Sequence, residues 1–367
     1  MDRTLAQLAG IAHREAGARR MDIATLALAT RNEAAARLGG ERLESVRDYL
    51  RELSARTVCI TLLAGSGSRW VRSLEAAGLG ASSSPWLERG AVFDPSRPRG
   101  LFPVRNWIRE RGVSDQTLIP VAAYALHAVH GLGRHLIVVR GWEREIDEEI
   151  LRPLGIGPGE RDFCTQEAHY GKPLGHGDAV WQCRALWKDA DYVITNFGGD
   201  ANSRRTLSSS LLALDALGSS GGVDLLMPAA TTASPAYPIS LDDRGLPRSF
   251  GHAKLQQGAP RAEGRGPTGD AAYTNVGVRV YRARALLESV ERFRSAHWIE
   301  GSGYAIPGND PQGHEFALDN VDADMAGKGR ARILAMALPR ELTPAKSLED
   351  IPAFEAAMAE VIAEDEG

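Results

Sequence analysis

From residue 57 onward, short apolar segments alternate with amphipathic segments of helical composition. TVCITLL (57–63) and RHLIVVR (134–140) have the length and β-branched content of buried strands. TLSSSLLALDALGSS (206–220), by contrast, has the composition and length of a helix. Strands that alternate with helices are joined by helical crossovers and therefore run parallel. The pattern predicts an α/β fold with a mostly parallel central sheet and helices on both faces.

The chain divides into two regions by composition. Residues 1–56 are rich in Ala, Leu, Glu and Arg, with apolar residues three or four positions apart, which predicts a helical N-terminal extension. Residues 57–367 form the main predicted domain, with a first half at 57–235 and a second half at 236–367. We expect a hairpin around Asp243–Gly245 and a final helix that ends the second half.

Composition limits the partners and the compartment. The 367 residues are 43% hydrophobic and carry a net charge of −4, which argues against general nucleic-acid binding because that function usually needs a basic face. No apolar run approaches the roughly 18–20 residues of a membrane span, and the first residues lack a signal-peptide core. Cys59, Cys164 and Cys183 form no CxxC pair, which favours a reducing compartment. We expect a cytoplasmic protein without membrane attachment, and the sequence leaves its oligomeric state open.

The segment LLAGSGSR (62–69) follows the first predicted strand. Gly65 and Gly67 allow backbone conformations that bring N–H groups close to phosphate oxygens, and Arg69 adds a cation with bidentate geometry. The segment lacks the third glycine of the dinucleotide fingerprint and the Lys-Ser/Thr of the Walker A loop. Alone, it fits either a phosphate-binding loop or a tight structural turn.

One carboxylate is a candidate Mg²⁺ ligand by its position. Asp200 follows the predicted strand YVITNF (192–197), at the sheet edge where α/β proteins bind ligands. Mg²⁺ on a nucleotide is usually held by one or two carboxylates together with phosphate oxygens. The alternative is a loop or helix-capping role for Asp200.

Further segments follow the glycine loop in a fixed order: RGLFPV (99–104), QEAHYGKPLGHGDAV (166–180) and NFGGD (196–200). Together with LLAGSGSR they resemble the motifs of sugar-nucleotide pyrophosphorylases, the nucleotidyltransferases that join a nucleoside triphosphate to a sugar 1-phosphate. Ser68 stands where the family has Thr, and Arg99 stands where it usually has Lys. GHGDA is closer to the uridylyltransferase and hexosamine pyrophosphorylase branch. The resemblance covers roughly residues 57–355.

The resemblance implies a nucleotide-diphospho-sugar transferase fold of the GT-A type and a set of site residues. Arg69 and Arg99 would neutralise phosphate charge as catalytic residues, Gln166 would read the base, and Asp200 and Asp319 would hold Mg²⁺. Asp319 lies in HEFALDNV (314–321), which resembles the family segment that carries a second metal ligand, and the alternative is a solvated position on an acidic helix. The implied nucleotide-binding residues are Leu63, Ala64, Gly65, Gly67, Ser68, Gln166, Gly175, Gly177 and Asp178.

The second half resembles the family more loosely. YTNVGVRVY (273–281) is similar to a sugar-contacting strand, which makes Asn275 and Gly277 candidate acceptor-binding residues. Lys254 lies where the family often has Glu-Lys-Pro and is the third candidate acceptor-binding residue, for the sugar phosphate; the alternative is a solvated lysine. LTPAKSLEDIPAFE (342–355) resembles the family's terminal segment, with Lys346 in place of an Asn.

The implied reaction is Mg²⁺-dependent transfer of a nucleotide, with UTP preferred, to a sugar 1-phosphate with release of pyrophosphate. Two alternatives remain open at the level of sequence. The acceptor could be a non-sugar phosphate such as an alditol or amino-alcohol phosphate. The chain could also be a non-catalytic regulatory protein that binds a nucleotide sugar.

Overall fold

The computed structural model describes most of the chain from residue 48 onward. The described ranges are 48–64, 70, 97–109, 113–171, 173–233, 235, 237–242, 245–250, 272–307, 314–334, 337 and 339–366. Of the predicted N-terminal extension, only its last residues are described, and 48–54 are helical.

The described strands and helices are numbered in chain order. The strands are β1 (Thr57–Leu62), β2 (Pro103–Arg105), β3 (Leu118–Pro120), β4 (Arg134–Val139), β5 (Arg161–Thr165), β6 (Tyr192–Phe197), β7 (Leu225–Thr232), β8 (Ile239–Leu241), β9 (Pro247–Phe250), β10 (Ala272–Asn275), β11 (Arg279–Arg282), β12 (Trp298–Ile299), β13 (Gly303–Tyr304) and β14 (Ala331–Leu334). The helices are α1 (Val121–Val129), α2 (Glu143–Ile146), α3 (His176–Gln182), α4 (Arg204–Gly221), α5 (Ala283–His297), α6 (Leu318–Gly327) and α7 (Ile351–Glu366).

The central sheet is mixed and mostly parallel, as the strand–helix alternation predicts. Its strand order is β10-β7-β11-β6-β1-β4-β5, and β14 pairs with β7. β1 runs parallel to β4 and β6, and β14 runs parallel to β7. β10 and β11 are antiparallel to their neighbours. Leu225 pairs with both Tyr281 and Ala331, so β11 and β14 lie on opposite edges of β7.

The strand order reverses next to β1. The chain passes outward from β1 to β4 and β5, then returns to place β6 on the other edge of β1. Leu62 pairs with Phe197, so the carboxyl ends of β1 and β6 are neighbours. In open α/β sheets, ligands bind in the crevice outside the carboxyl ends of the strands at such a reversal. This edge is therefore where a binding site is expected.

Helices cover both faces of the sheet because side chains alternate along each strand. Val58 and Ile60 of β1 enter a buried cluster with α3, α5 and α6, whereas Cys59 enters a cluster on the other face with α4. A third cluster joins α1 to α7, where Tyr124 packs edge-on against Phe354. Within the described residues, none of the helices has the length and apolar character that crossing a membrane requires.

Local predictions are confirmed with one correction. β8 and β9 form the predicted hairpin, with Gly245 at a φ of +72° in its turn. The composition of DQTLIPVAAYALHAVHGLG (115–133) predicts a helix with Asp115 as its cap, but the helix α1 begins at Val121. Pro120 is the reason, because a proline disfavours helical conformation in the residue before it and Ile119 is extended in β3.

Candidate active site

Asp200 ends the turn that follows β6, and its N–H donates a hydrogen bond to the carbonyl of Phe197 (3.1 Å). Its carboxylate lies directly against the α-carbon of Gly277, where a Cβ would overlap Oδ2. Gly277 also has a φ of +86°, a conformation that other residues rarely adopt. Asn275 fixes this turn by accepting the N–H of Gly277 at its Oδ1 (2.7 Å). The predicted acceptor-binding residues Asn275 and Gly277 thus position the predicted metal ligand.

Two glycines let three separate segments meet at the end of β6. A Cβ on Gly198 would overlap the side chain of Leu63, which follows β1. A Cβ on Gly199 would lie 3.0 Å from Nη2 of Arg99 and 3.2 Å from the carbonyl oxygen of Ala345. The N–H of Ala345 donates to the carbonyl of Gly199 (2.8 Å). Leu63 and Arg99, both predicted from the sequence, are therefore brought to the same edge as Asp200.

The Asp200 carboxylate is surrounded by positive charge. Burial raises the pKa of Asp200, and the charges of Lys346, Arg99 and Arg279 work in the opposite direction. Among the residues that the structure describes, however, none forms a hydrogen bond or an ion pair with this carboxylate. Its oxygens therefore remain available to a ligand.

The Asp200 carboxylate supplies one oxygen donor of the kind that Mg²⁺ takes, and its role as a metal ligand stays a prediction. Mg²⁺ is usually bound through one or two carboxylates plus substrate phosphates and waters. No group of three or more His, Cys, Asp or Glu side chains placed to hold a metal occurs in the described part of the chain. A magnesium ion here would therefore depend on Asp200 and on oxygen atoms of the bound substrate.

Asp319, the predicted second metal ligand, is already engaged with basic side chains. Its Oδ1 accepts from Nη2 of Arg279 (3.1 Å), and its Oδ2 lies 3.5 Å from Nε2 of His176. Asp322 binds the same guanidinium through Nε (2.6 Å). Burial works to lower the pKa of Arg279, but the carboxylates of Asp322 and Asp319 outweigh it and hold that pKa above its ordinary value. The metal role of Asp319 stays a prediction and would require it to share this pairing.

The predicted base-binding segment begins at Gln166, immediately after β5. Gln166 is buried and donates from Nε2 to the carbonyl of Gly175 (3.1 Å). Gly175, at a φ of +94°, would overlap the carbonyl of Phe316 if it carried a Cβ, and the N–H of Gly177 donates to that carbonyl (2.8 Å). Close packing against Phe316 therefore explains why both positions are glycine. A contact of Gln166 with the base would therefore be made by its Oε1, and this role stays a prediction.

Asp178 is fully buried in α3. Its carboxylate accepts from the hydroxyl of Tyr304 (2.6 Å) and from Nε2 of Gln182 (2.7 Å). Both carboxylate oxygens are thus occupied within the protein, which gives Asp178 a structural role. Its predicted contact with a nucleotide is not tested by this geometry.

Five predicted site residues lie outside the described residues: Gly65, Gly67, Ser68, Arg69 and Lys254. Ala64, the last described residue before the glycine loop, is 5% exposed and packs in the core beside β1. The described part of the chain thus reaches this edge of the sheet at Leu63 and Ala64.

The structure adds two residues that the motif analysis did not place in the site. Lys346 donates from Nζ to the hydroxyl of Tyr237 (2.8 Å) and lies 4.7 Å from the centre of its ring. Arg279 begins β11 and contacts the carbonyl of Gly277 through Nη1 (3.3 Å). The available signals were the Lys for Asn exchange at 346 and a charged residue within the otherwise apolar VGVRVY.

No family model matches the sequence, and no curated protein matches it.

Proposed function

We propose that this protein is a nucleotidyltransferase that joins a nucleoside triphosphate, with UTP preferred, to a sugar 1-phosphate and releases pyrophosphate. The observation that carries the proposal is the convergence of Arg99 and Lys346 around an Asp200 carboxylate that lacks an ion-pair partner among the described residues. This convergence lies at the carboxyl ends of β1 and β6, where the strand order reverses.

The architecture supports the proposal at a coarser level. A mostly parallel sheet with one reversed strand between β6 and β7 is compatible with a GT-A-like nucleotide-diphospho-sugar transferase. Leu63 contacts Gly198 in the turn before Asp200, and the glycine loop at 65–69 follows Ala64 in the sequence. Its glycines and Arg69 would then hold the triphosphate.

The reaction requires no protein nucleophile. An oxygen of the sugar 1-phosphate attacks the α-phosphorus in line and forms the new P–O bond. The bond from the α-phosphorus to the bridging oxygen breaks, and pyrophosphate leaves with the electron pair. Catalysis by positioning and charge stabilisation suits this chemistry.

Each residue at the edge has a part in this scheme. Arg99, against the α-carbon of Gly199, would neutralise charge that develops on the α-phosphate. Asp200 would hold the magnesium ion, which when bound offsets the negative charge of the triphosphate. Gln166 would discriminate the base through its acceptor Oε1, since its Nε2 donates to the carbonyl of Gly175. The preference for UTP rests on the resemblance of GHGDA to the uridylyl branch.

The decisive experiment measures pyrophosphate release with a panel of nucleoside triphosphates and sugar 1-phosphates in the presence of Mg²⁺. We expect release with UTP and at least one sugar 1-phosphate, and loss of release when the metal is chelated. Folded protein that releases no pyrophosphate with any pair would contradict the proposal.

A second candidate keeps the site and changes the acceptor. Lys346 stands where the resembling family has an Asn, and it lies beside Tyr237 in the second half of the chain. A different acceptor, such as an alditol or amino-alcohol phosphate, is compatible with that change. Acceptor profiling at a fixed nucleotide separates the two. A regulatory, non-catalytic role gains only if the wild type never turns over and Asp200→Ala still binds nucleotide by calorimetry.

A further inference from the structure

Two of the three cysteines lie against each other beside the predicted base-binding segment. Cys164 is in β5, and Cys183 directly follows α3. Cys183 and Val138, the partner of Cys164 in β4, belong to one buried cluster, and Cys164 packs against that cluster. The two side chains therefore lie on the same face of the sheet, and a hydrogen bond joins their thiols.

The chain around the two thiols is also tied together independently of the sulfur atoms. The N–H of Glu167 donates to Oε1 of Gln182 (2.8 Å), and Nε2 of Gln182 donates back to the carbonyl of Glu167 (3.2 Å). Gln182 is the last residue of α3 and the neighbour of Cys183. The segment after β5 is therefore fixed against the end of α3, which keeps the two cysteines close together.

The two thiols differ in exposure and in acidity. Cys164 is partly exposed, whereas Cys183 is 1% exposed. The hydrogen bond from the Cys183 thiol lowers the pKa of Cys164, although burial and the charge of Glu167 act in the opposite direction. Burial raises the pKa of Cys183 well above its ordinary value. Cysteines that react with oxidants combine solvent access, a lowered pKa and a neighbouring thiol, and Cys164 has all three.

Cys59 provides an internal comparison. It is fully buried in a cluster with α4 on the other face of the sheet, and burial raises its pKa. Cys183 resembles Cys59 in its burial and in its contact with a carbonyl oxygen, that of Val180 at 3.3 Å and that of Val129 at 4.0 Å respectively. Of these two buried thiols, only Cys183 has a second cysteine hydrogen-bonded to it.

The backbone at both cysteines leaves room for a covalent bond to form. A disulfide requires sulfur atoms about 2.0 Å apart, which is closer than two thiols that share a hydrogen bond. β5 is the last strand in the order of the described sheet and pairs with β4 alone among the described strands. Cys183 lies just beyond the end of a helix, where the backbone frays most readily. An edge strand and a helix end can approach each other without disrupting the centre of the sheet.

We propose that Cys164 and Cys183 form a reversible disulfide, and that Cys164 is the thiol that reacts first with a small-molecule disulfide. The Cys164 thiolate attacks one sulfur of the small molecule, whose S–S bond breaks. One thiolate leaves with the proton that Cys164 released, and Cys164 carries a mixed disulfide. Cys183 then gives up its proton and attacks Sγ of Cys164, and the second small-molecule thiolate leaves with that proton.

The electrons and protons of this exchange balance. The protein loses two electrons and two protons, and the small-molecule disulfide gains them as two thiols. A reducing compartment, which the cysteine pattern favours, does not exclude such a bond. In reducing compartments protein disulfides are usually transient, and many of them are redox-sensing.

The bond would close the chain around the predicted base-binding segment. Gln166 lies two residues after Cys164, and Gly175, whose carbonyl accepts from Gln166 (3.1 Å), immediately precedes α3. Movement of β5 toward α3 would displace Gln166 relative to Gly175, so oxidation should weaken nucleotide binding. This consequence rests on the proposed function, whereas the thiol pair itself does not.

Oxidation of the full chain with excess oxidised glutathione tests the assignment. Free thiols are counted in denaturant, and non-reducing digestion with mass spectrometry identifies the joined peptides. The variants are Cys164→Ser and Cys183→Ala, and Cys59→Ala is the matched control because it keeps the pair. Thermal unfolding checks that each variant is folded. Calorimetry with Mg²⁺·UTP compares the reduced protein, the oxidised protein and the protein reduced again with dithiothreitol.

We expect the wild type and Cys59→Ala to lose two free thiols, to yield peptides joined through Cys164 and Cys183, and to recover both thiols in dithiothreitol. Cys183→Ala should stop at a mixed disulfide on Cys164, and Cys164→Ser should keep both of its remaining thiols. Oxidation should weaken the binding of Mg²⁺·UTP to the wild type about threefold or more, reversibly, and should leave Cys164→Ser unchanged.

Three results would overturn the assignment: wild type that retains all its thiols, a disulfide that includes Cys59, or a mixed disulfide that stays on Cys164 of the wild type. If Cys183→Ala is unfolded, the comparison of Cys164→Ser with Cys59→Ala decides in the same way. A disulfide that leaves the affinity for Mg²⁺·UTP unchanged would refute the link to the nucleotide site. A disulfide in a protein that neither binds nucleotide nor turns over any substrate pair would refute the proposed function and leave the thiol pair standing.

Discussion

An acidic pair, Asp319 and Asp322, and a single carboxylate, Asp200, lie at the same end of the sheet and differ in whether their charges are paired. Asp319 and Asp322 share the guanidinium of Arg279, and all three side chains are at most 5% exposed. Asp200 faces cations but forms no ion pair with any described residue. The charges of Asp319 and Asp322 are neutralised within the protein, whereas the charge of Asp200 is available to a ligand.

Residue type alone therefore does not separate structural carboxylates from functional ones. A buried pair that is broken leaves an uncompensated charge, so such residues mainly affect folding. A carboxylate held open beside a glycine, as Asp200 is beside Gly277, mainly affects ligands. Substitutions at both sites test this contrast.

Arg279→Met should destabilise the fold by about 3–5 kcal/mol, because it leaves Asp319 and Asp322 buried without their cation. Denaturant unfolding measures the loss. The control is Arg284→Met, which removes an exposed arginine on α5. A variant as stable as wild type would show that this cluster is not structural.

Asp200→Asn should reduce turnover by at least about 100-fold, the scale expected when one group that offsets transition-state charge is lost. Its stability should be unchanged or higher. Burial raises the pKa of Asp200 above its unfolded value, so the charged form costs stability at neutral pH and the amide avoids that cost. Pyrophosphate release and thermal unfolding measure the two effects. Full activity, or a large loss of stability, would place Asp200 with the structural cluster.

Gly277→Ala should cost turnover about tenfold to 100-fold, because the new methyl group displaces the Asp200 carboxylate. Gly222→Ala is the matched control, since Gly222 has a φ of +64° and open space around its α-carbon. Both variants should lose about 1 kcal/mol or more of stability from the strained backbone, but only Gly277→Ala should lose activity. Equal activity in the two variants would contradict the proposed contact.

His135 extends the contrast to a base. It is 1% exposed, and neither ring nitrogen has a hydrogen-bond partner in the described part of the chain. Burial, helped by the nearby His130, lowers the pKa of His135 to about 4. The unfolded state therefore binds more protons between about pH 6.5 and 4, and stability falls as the pH drops through this window.

The wild type should lose about 2 kcal/mol more than His135→Leu between pH 7 and pH 5, given the pKa of about 4 in the folded state. Denaturant unfolding at the two pH values measures this difference. Parallel losses in both proteins would show that His135 is not responsible.

Much of the fold could be predicted because its signals are local. Alternating apolar and amphipathic segments predicted the strands β1, β4 and β6 with the helix α4, since periodicity reports which face each residue buries. β2, β3 and β5 were not predicted, because strands of three to five residues leave too short a pattern. The reversed direction of β11 also escaped prediction, since pairing partners are distant in sequence.

The site divides in the same way. Leu63, Arg99 and Asp200 were found from short motifs, and the structure brings them to one edge. Lys346 and Tyr237 were not connected, because their hydrogen bond joins residues 109 positions apart. Asp178 and Asp319 matched the motifs equally well, and only their buried partners show how they are engaged.

Patterns within a few residues are enough to predict the α/β class, the positions of most long elements and the motifs that supply Arg99 and Asp200. Which charges are neutralised depends on how the chain folds. Arg279 lies against two carboxylates from α6, whereas Lys346 lies against a phenol. Pairing depends on distances between segments that are remote in the chain, and that is why neighbouring charges of one kind stabilise the fold while others remain free to bind a ligand.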